Sequence, residues 1–262
     1  MSRGKLDKAT GNKIGSELPD VTELRRATLG LQPDFISMEF PPESRIPIAA
    51  VCLQDVTSVL QEVRHALFEA LAYILWYRER NEPPNDHLAA FFGRFYLDDA
   101  ALRLYAAGEH LAEAIVCMLE LDRESLRKYR KTGRPDDQGS QQSAVGKFLK
   151  SEMPGHPITN AISVLIDSKE WLPTIKYRDV WVHRKPPIIA GMGISYERRN
   201  RLKVSNTGVW VSFGGGDAPE YTVDQLIALV RPAAIEFTKA VTVVVEYYIR
   251  LLQREGKTTL IE

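Results

Sequence analysis

One stretch of the 262-residue sequence, Tyr177-Arg178-Asp179-Val180-Trp181-Val182-His183-Arg184-Lys185, sets reactive side chains at short spacing. An imidazole, with an ordinary pKa of about 6.5, suits proton transfer near neutral pH. A guanidinium offers a planar fork of donors that holds oxyanions. Arg178 and His183 are five residues apart, which on an α-helix separates them by about 140° around the axis. Asp179 and His183, four apart, share a face. The spacing therefore predicts a lopsided site in one chain. A two-fold dimer would bring two arginines and two histidines into one cleft. The plainer alternative makes His183 a helix-terminal residue capping carbonyls just before Pro186.

Other familiar chemistry is missing from the sequence. There is no GxxxxGK[ST] phosphate loop, and Gly191-Met-Gly193 lacks the third glycine of a dinucleotide fingerprint. No His-x-x-x-His or Cys-x-x-Cys pair offers a local metal scaffold, so neither metal nor cofactor is expected. Directly after the motif, Arg184, Lys185, Arg198, Arg199, Arg201 and Lys203 face only Glu197. That block suits a nucleic-acid partner, and Tyr196 and Trp210 suit stacking on unpaired bases. A solvated hairpin with surface charges explains it equally. A second block, Arg123, Arg127, Lys128, Arg130, Lys131 and Arg134, reads as a solvated helix end. Glu109 and His110 either reach the motif's cleft from another helix or form a buried hydrogen-bonded pair.

The elements that must position these residues are helical. Val56, Val59, Leu60, Val63, Leu67, Leu71, Ile74 and Leu75 recur at spacings of three and four and predict a helix over 49–80, stopped by Pro83-Pro84. A second helix is predicted from Asp86, as N-cap, to Leu121, with Leu88, Phe91, Phe92, Phe95, Leu102, Tyr105, Leu111, Ile115 and Met118 on a wide apolar face. Shorter helices follow over 143–152 and 158–183, the latter broken near Pro173. A β-hairpin insertion is predicted within 186–219, around Asn206-Thr207-Gly208. Thr222 opens the closing helix with a Thr-x-x-Gln capping box, and that helix runs to Arg254 with a kink at Pro232. Residues 1–45, rich in proline and polar side chains, read as a loosely structured arm. The fold class is all-α: two long antiparallel helices, shorter helices and a closing long helix, over 46–257.

Composition sets the outer bounds. The 34 Lys+Arg balance 34 Asp+Glu, which on the whole-chain sum argues against a dedicated nucleic-acid binder. The balance is a cancellation, because residues 46–121 carry five bases against eleven acids while the basic charge sits in local blocks. No run of eighteen apolar residues or secretory h-region is visible. Two cysteines, Cys52 and Cys117, fit a reducing compartment. The expectation is a cytoplasmic protein with no membrane association.

The motif in this setting resembles the HEPN superfamily of helical bundles, many of them metal-independent RNases. Their signature is Arg, often a polar residue, then His, with four to six residues between Arg and His. Arg178, Asp179 and His183 match its shortest form. Arg80…His87 and Arg103…His110 also have an allowed spacing, but the first crosses Pro83-Pro84 and neither has the polar residue after Arg in the right context. The layout over about residues 50–255, including Gly108-Glu109-His110, is similar to a clostridial-type HEPN subfamily. The resemblance implies a homodimeric endoribonuclease acting on single-stranded RNA, in a toxin or defence setting, with an antitoxin protein as a further partner. His183 would then act as general base or acid, Arg178 would hold the scissile phosphate, and Asp179 would orient His183. The alternative is a HEPN-type module that binds RNA, nucleotide or protein without cleaving. A structural interaction protein with no nucleic-acid role is the third reading.

Overall fold

A computed structural model describes residues 4–130, 140–183, 187, 189–190, 203–205, 208–210 and 220–256. Ten helices follow one another among them: α1 (Lys8–Ser16), α2 (Thr22–Leu29), α3 (Pro33–Glu39), α4 (Ile46–Leu75), α5 (Asp86–Met118), α6 (Arg123–Arg130), α7 (Gln141–Glu152), α8 (Pro157–Ile166), α9 (Trp171–His183) and α10 (Val223–Arg254). The chain is all-α in its described core. The β insertion expected over 186–219 lies almost wholly outside the described residues. Within it, the backbone of Lys203–Ser205 pairs antiparallel with Gly208–Trp210.

The centre is built from α4, α5 and α10. Tyr73 stacks on Phe92, Arg103 pairs with Glu62, and Arg45 donates to the Leu121 carbonyl, so α4 and α5 run antiparallel along their whole length. Arg78 joins Asp224 at one end of α10, and the Tyr248 hydroxyl donates to the Ile46 carbonyl at the other. α10 is thus antiparallel to α4 as well. Val56, Leu60, Val63, Leu67 and Ile74 are buried as the periodicity predicts. The stretch Ile46–Arg80 has the length and hydropathy of a membrane span, although charged residues interrupt it. In this fold its apolar stripe packs on α5.

α5 corrects the sequence reading in two ways. Its N-cap is Asn85, whose side chain accepts from the Leu88 N–H, and not Asp86. Leu111, Ile115 and Met118 are buried as expected, but the buried face of its first half is mostly small: Ala89, Ala90, Gly93, Leu97, Ala100, Ala101, Leu104, Ala107 and Gly108. Phe91 and Phe95, expected in the core, are exposed. Small side chains let α4 and α10 approach closely, and a Cβ on Gly93 would stand 2.6 Å from Ile74 and 2.8 Å from Val223. Bulky rings cannot occupy that seam, so they turn outward.

Residues 1–45 are not a loose arm. Ile14, Leu18, Val21, Leu24, Leu31 and Ile36 are buried in the common core. Buried Thr28 and Thr57 share a hydrogen bond of 2.7 Å, and Gln54 Nε2 donates to the Thr28 and Leu31 carbonyls. The prolines punctuate this region without preventing helix. Pro33 sits in the first turn of α3, where its missing N–H has no intrahelical partner. Each helix has two turns or little more, too short for a periodicity to declare itself.

Downstream, the break expected near Pro173 falls at 167–170 instead. Pro173 lies in the first turn of α9, where proline is tolerated. The Thr222–Gln225 capping box is present in full, and α10 runs through Pro232 to Arg254.

Candidate functional site

α9 carries the motif and is fixed to its neighbours by two of its aromatic side chains. The Trp171 ring stacks on Phe237 at 4.9 Å. Buried Tyr177 donates its hydroxyl to Asp98 and packs edge-on against Tyr221. Asp98 also accepts from Arg94 Nε at 3.2 Å, one helical turn away. Burial pushes the Asp98 carboxyl upward, with the Tyr177 hydroxyl and Arg94 acting against it. Burial and the neighbouring Asp98 raise the Tyr177 phenol, so it remains a donor.

The next residue, Arg178, lies flat on α5. Its guanidinium carbon is 3.7 Å from the centre of the Tyr105 ring, a cation–π contact. The side chain is only 16% exposed. Arg178 Nη1 donates to Asp179 Oδ1 at 3.0 Å and stands 3.5 Å from His183 Nε2. Arg178 Nε is buried, with no hydrogen-bond partner among the described residues. His183 is exposed in the last turn of α9.

This geometry alters two expectations. Arg178 and His183 do leave the helix in different directions, but the long arginine side chain reaches round to the imidazole. One chain therefore already assembles an Arg–His pair without a second copy. Asp179 pairs with Arg178 and not with His183.

The other residues singled out from sequence are placed as follows. Glu109 does not join the site: its carboxylate accepts the backbone N–H groups of Gln141 at 3.1 Å and Gln142 at 3.3 Å, capping α7. No hydrogen bond joins the neighbouring His110 to α9 among the described residues. Arg103 binds Asp99 and Glu62, and Arg80 binds Asp7 and Thr10. Arg184, Lys185, Arg198, Arg199 and Arg201 lie outside the described residues, as do Tyr196, Lys131 and Arg134. For Lys203 and Trp210 only the backbone is described. In the second basic block, Arg123 pairs with Glu113, Arg127 with Glu124 and Lys128 with Glu152, while Arg130 donates to the Gln141 side chain. No group of three or more His, Cys, Asp and Glu side chains converges as a metal site among the described residues.

Tyr105, Asp98 and Arg94 are the participants that sequence reading missed. An Arg94–Asp98 pair at four-residue spacing was readable as a helical ion pair. Nothing in the sequence joins either residue to Tyr177, or Tyr105 to Arg178.

Compared with family models, with curated proteins and with solved structures, the chain matches none.

Proposed function

We propose that the chain is a HEPN-like, metal-independent endoribonuclease acting on single-stranded RNA at Arg178 and His183. The observation that carries this reading is the 3.5 Å approach of Arg178 Nη1 to an exposed imidazole, with the guanidinium held against Tyr105. A fixed cation beside a group that moves protons near neutral pH is the minimum that phosphodiester transfer requires.

In this scheme His183 takes the proton from a ribose 2′-OH. The 2′-oxygen attacks phosphorus, the bond from phosphorus to the 5′-oxygen breaks, and that oxygen is protonated on departure. The products are a 2′,3′-cyclic phosphate and a 5′-hydroxyl. Arg178 offsets the charge that builds on the phosphate oxygens. In a homodimer the second His183 serves as the acid. The hairpin region over 186–219, with Arg184, Lys185, Arg198, Arg199, Arg201 and Lys203, carries the RNA backbone, and an antitoxin would cover the same surface.

The test is cleavage of single-stranded RNA by purified protein in the presence of a chelator. His183→Ala abolishes cutting and leaves the thermal unfolding curve in place. Cutting that survives this substitution removes the catalytic assignment. One observation favours the non-catalytic binding module: Asp179 already occupies Arg178 Nη1, so phosphate must displace a carboxylate. RNA that is bound and recovered intact decides for that reading. Indifference of RNA binding to charge reversal at Arg198, Arg199 and Arg201 decides for a protein without a nucleic-acid role.

A further inference from the structure

The face of α5 that seats α9 continues beyond the end of α9. A Cβ on Gly108 would lie 3.3 Å from the Trp171 ring, Arg178 lies on Tyr105, and Tyr177 bonds Asp98. As α9 advances, its partners on α5 step backwards, so the two helices are antiparallel. From Arg178 to His183 α9 rises by about 7.5 Å, which brings it level with the turn of α5 that carries Phe95. Phe91 and Phe95 belong to the same face, since positions seven and three residues before Asp98 lie about 20° and 60° from it around the axis. α9 is described as far as His183, and among the described residues both rings are exposed, Phe91 45% and Phe95 63%.

These rings are braced. Phe91 meets Phe92 edge-on at 5.2 Å, and Phe95 meets Tyr96 edge-on at 5.2 Å. Phe92 is itself stacked on Tyr73 at 4.5 Å and Tyr77 at 5.7 Å. The acidic neighbours are answered within the protein: Asp98 by Arg94 and Tyr177, Asp99 by Arg103. The chain then continues from His183 into Arg184 and Lys185, the start of a stretch with six bases against one acid over 184–203.

We propose that Phe91 and Phe95 form a stacking platform for the unpaired bases that flank the phosphate held at Arg178. The proposal rests on the reading of Arg178 and His183 as an RNA site and adds the two residues that select single strands. Exposed phenyl rings offer π-faces that any splayed base can cover, and a duplex keeps its bases stacked on each other. The phosphate goes to the cationic side, and the bases to the apolar continuation of the same α5 face.

The test uses the full chain with His183→Ala, so that RNA stays intact, and a labelled twelve-nucleotide RNA of mixed sequence, single-stranded or annealed to its complement. Phe91→Ala and Phe95→Ala each weaken single-strand binding by about tenfold or more, leave duplex binding unchanged, and recover with Tyr or Trp at the same position. With His183 restored, the ring variants raise KM and keep kcat. Single-strand affinity that ignores the rings, while the parent still cleaves and loses cleavage on His183→Ala, overturns the platform and spares the catalytic reading. A dimer that dissociates on Phe91→Ala with RNA affinity unchanged assigns the rings to a second copy and also overturns it. No binding of either RNA by any form ends both readings.

Discussion

Arg178 is held by an aromatic face, a carboxylate and an imidazole, and only the last two compete for the same nitrogen. Replacing Tyr105 by Leu removes the face on which the guanidinium rests. The expected cost is about 0.5–2 kcal/mol in a urea titration, together with slower RNA cleavage. Tyr177→Phe takes one donor from Asp98, a buried carboxylate that then depends on Arg94 alone, and costs about 1–3 kcal/mol. The pH dependence follows in sign. Asp98 has its folded pKa raised by burial, so its contribution is most favourable while protonated and is lost as pH rises through the folded value. The Tyr177 hydroxyl opposes that rise. Tyr177→Phe therefore steepens the loss of stability as pH rises above the ordinary carboxylate range, measurable as a series of unfolding midpoints. At this scale the residue types of Arg178 and His183 were legible, although their contact across five residues of helix was not. Tyr105 was not, because it sits among apolar residues of a helix and only the docking of α9 joins it to Arg178.

At the scale of elements, caps explain why the helices start where they do. Thr222 and Gln225 bond each other's backbone at the start of α10, and Thr222→Ala costs about 1 kcal/mol of global stability, read from the denaturant midpoint. Asp7 does the same for α1. Its carboxylate, bonded first by the Thr10 N–H and then by the Thr10 hydroxyl, with Arg80 beside it, is held down at about 2. A group with a depressed folded pKa stabilises above its ordinary range, and that support disappears as pH falls through the folded value. The Thr10 amide resonance should report that loss on acid titration, with a midpoint near 2. Capping boxes and proline stops are local chemistry, and for that reason α10 was legible almost to the residue. The faces of α5 were not. Its large rings suggested a core, and the seam against α4 and α10 took the alanines and glycines instead.

For the whole molecule the decisive finding is that the first forty residues belong to the core. Ile36 has no exposed surface, and Ile36→Ala is expected to cost about 2–5 kcal/mol in chemical denaturation. A loose arm would give no change. The same scale settles Glu109: a carboxylate beside a histidine in a long helix looks catalytic in one dimension, but α7 begins where its oxygens can cap two backbone N–H groups.

By itself the sequence determined the helical class, the three long helices and the capping of the last one, because hydropathy period, proline and cap residues act through near neighbours. Only the tertiary structure decided which face of α5 is buried, that α1–α3 close over α4, that Arg178 rests on Tyr105 and reaches His183, and that Phe91 and Phe95 are exposed. Periodicity says which side chains share a face. What covers that face, and how far a long side chain reaches from it, depends on the neighbours that packing supplies.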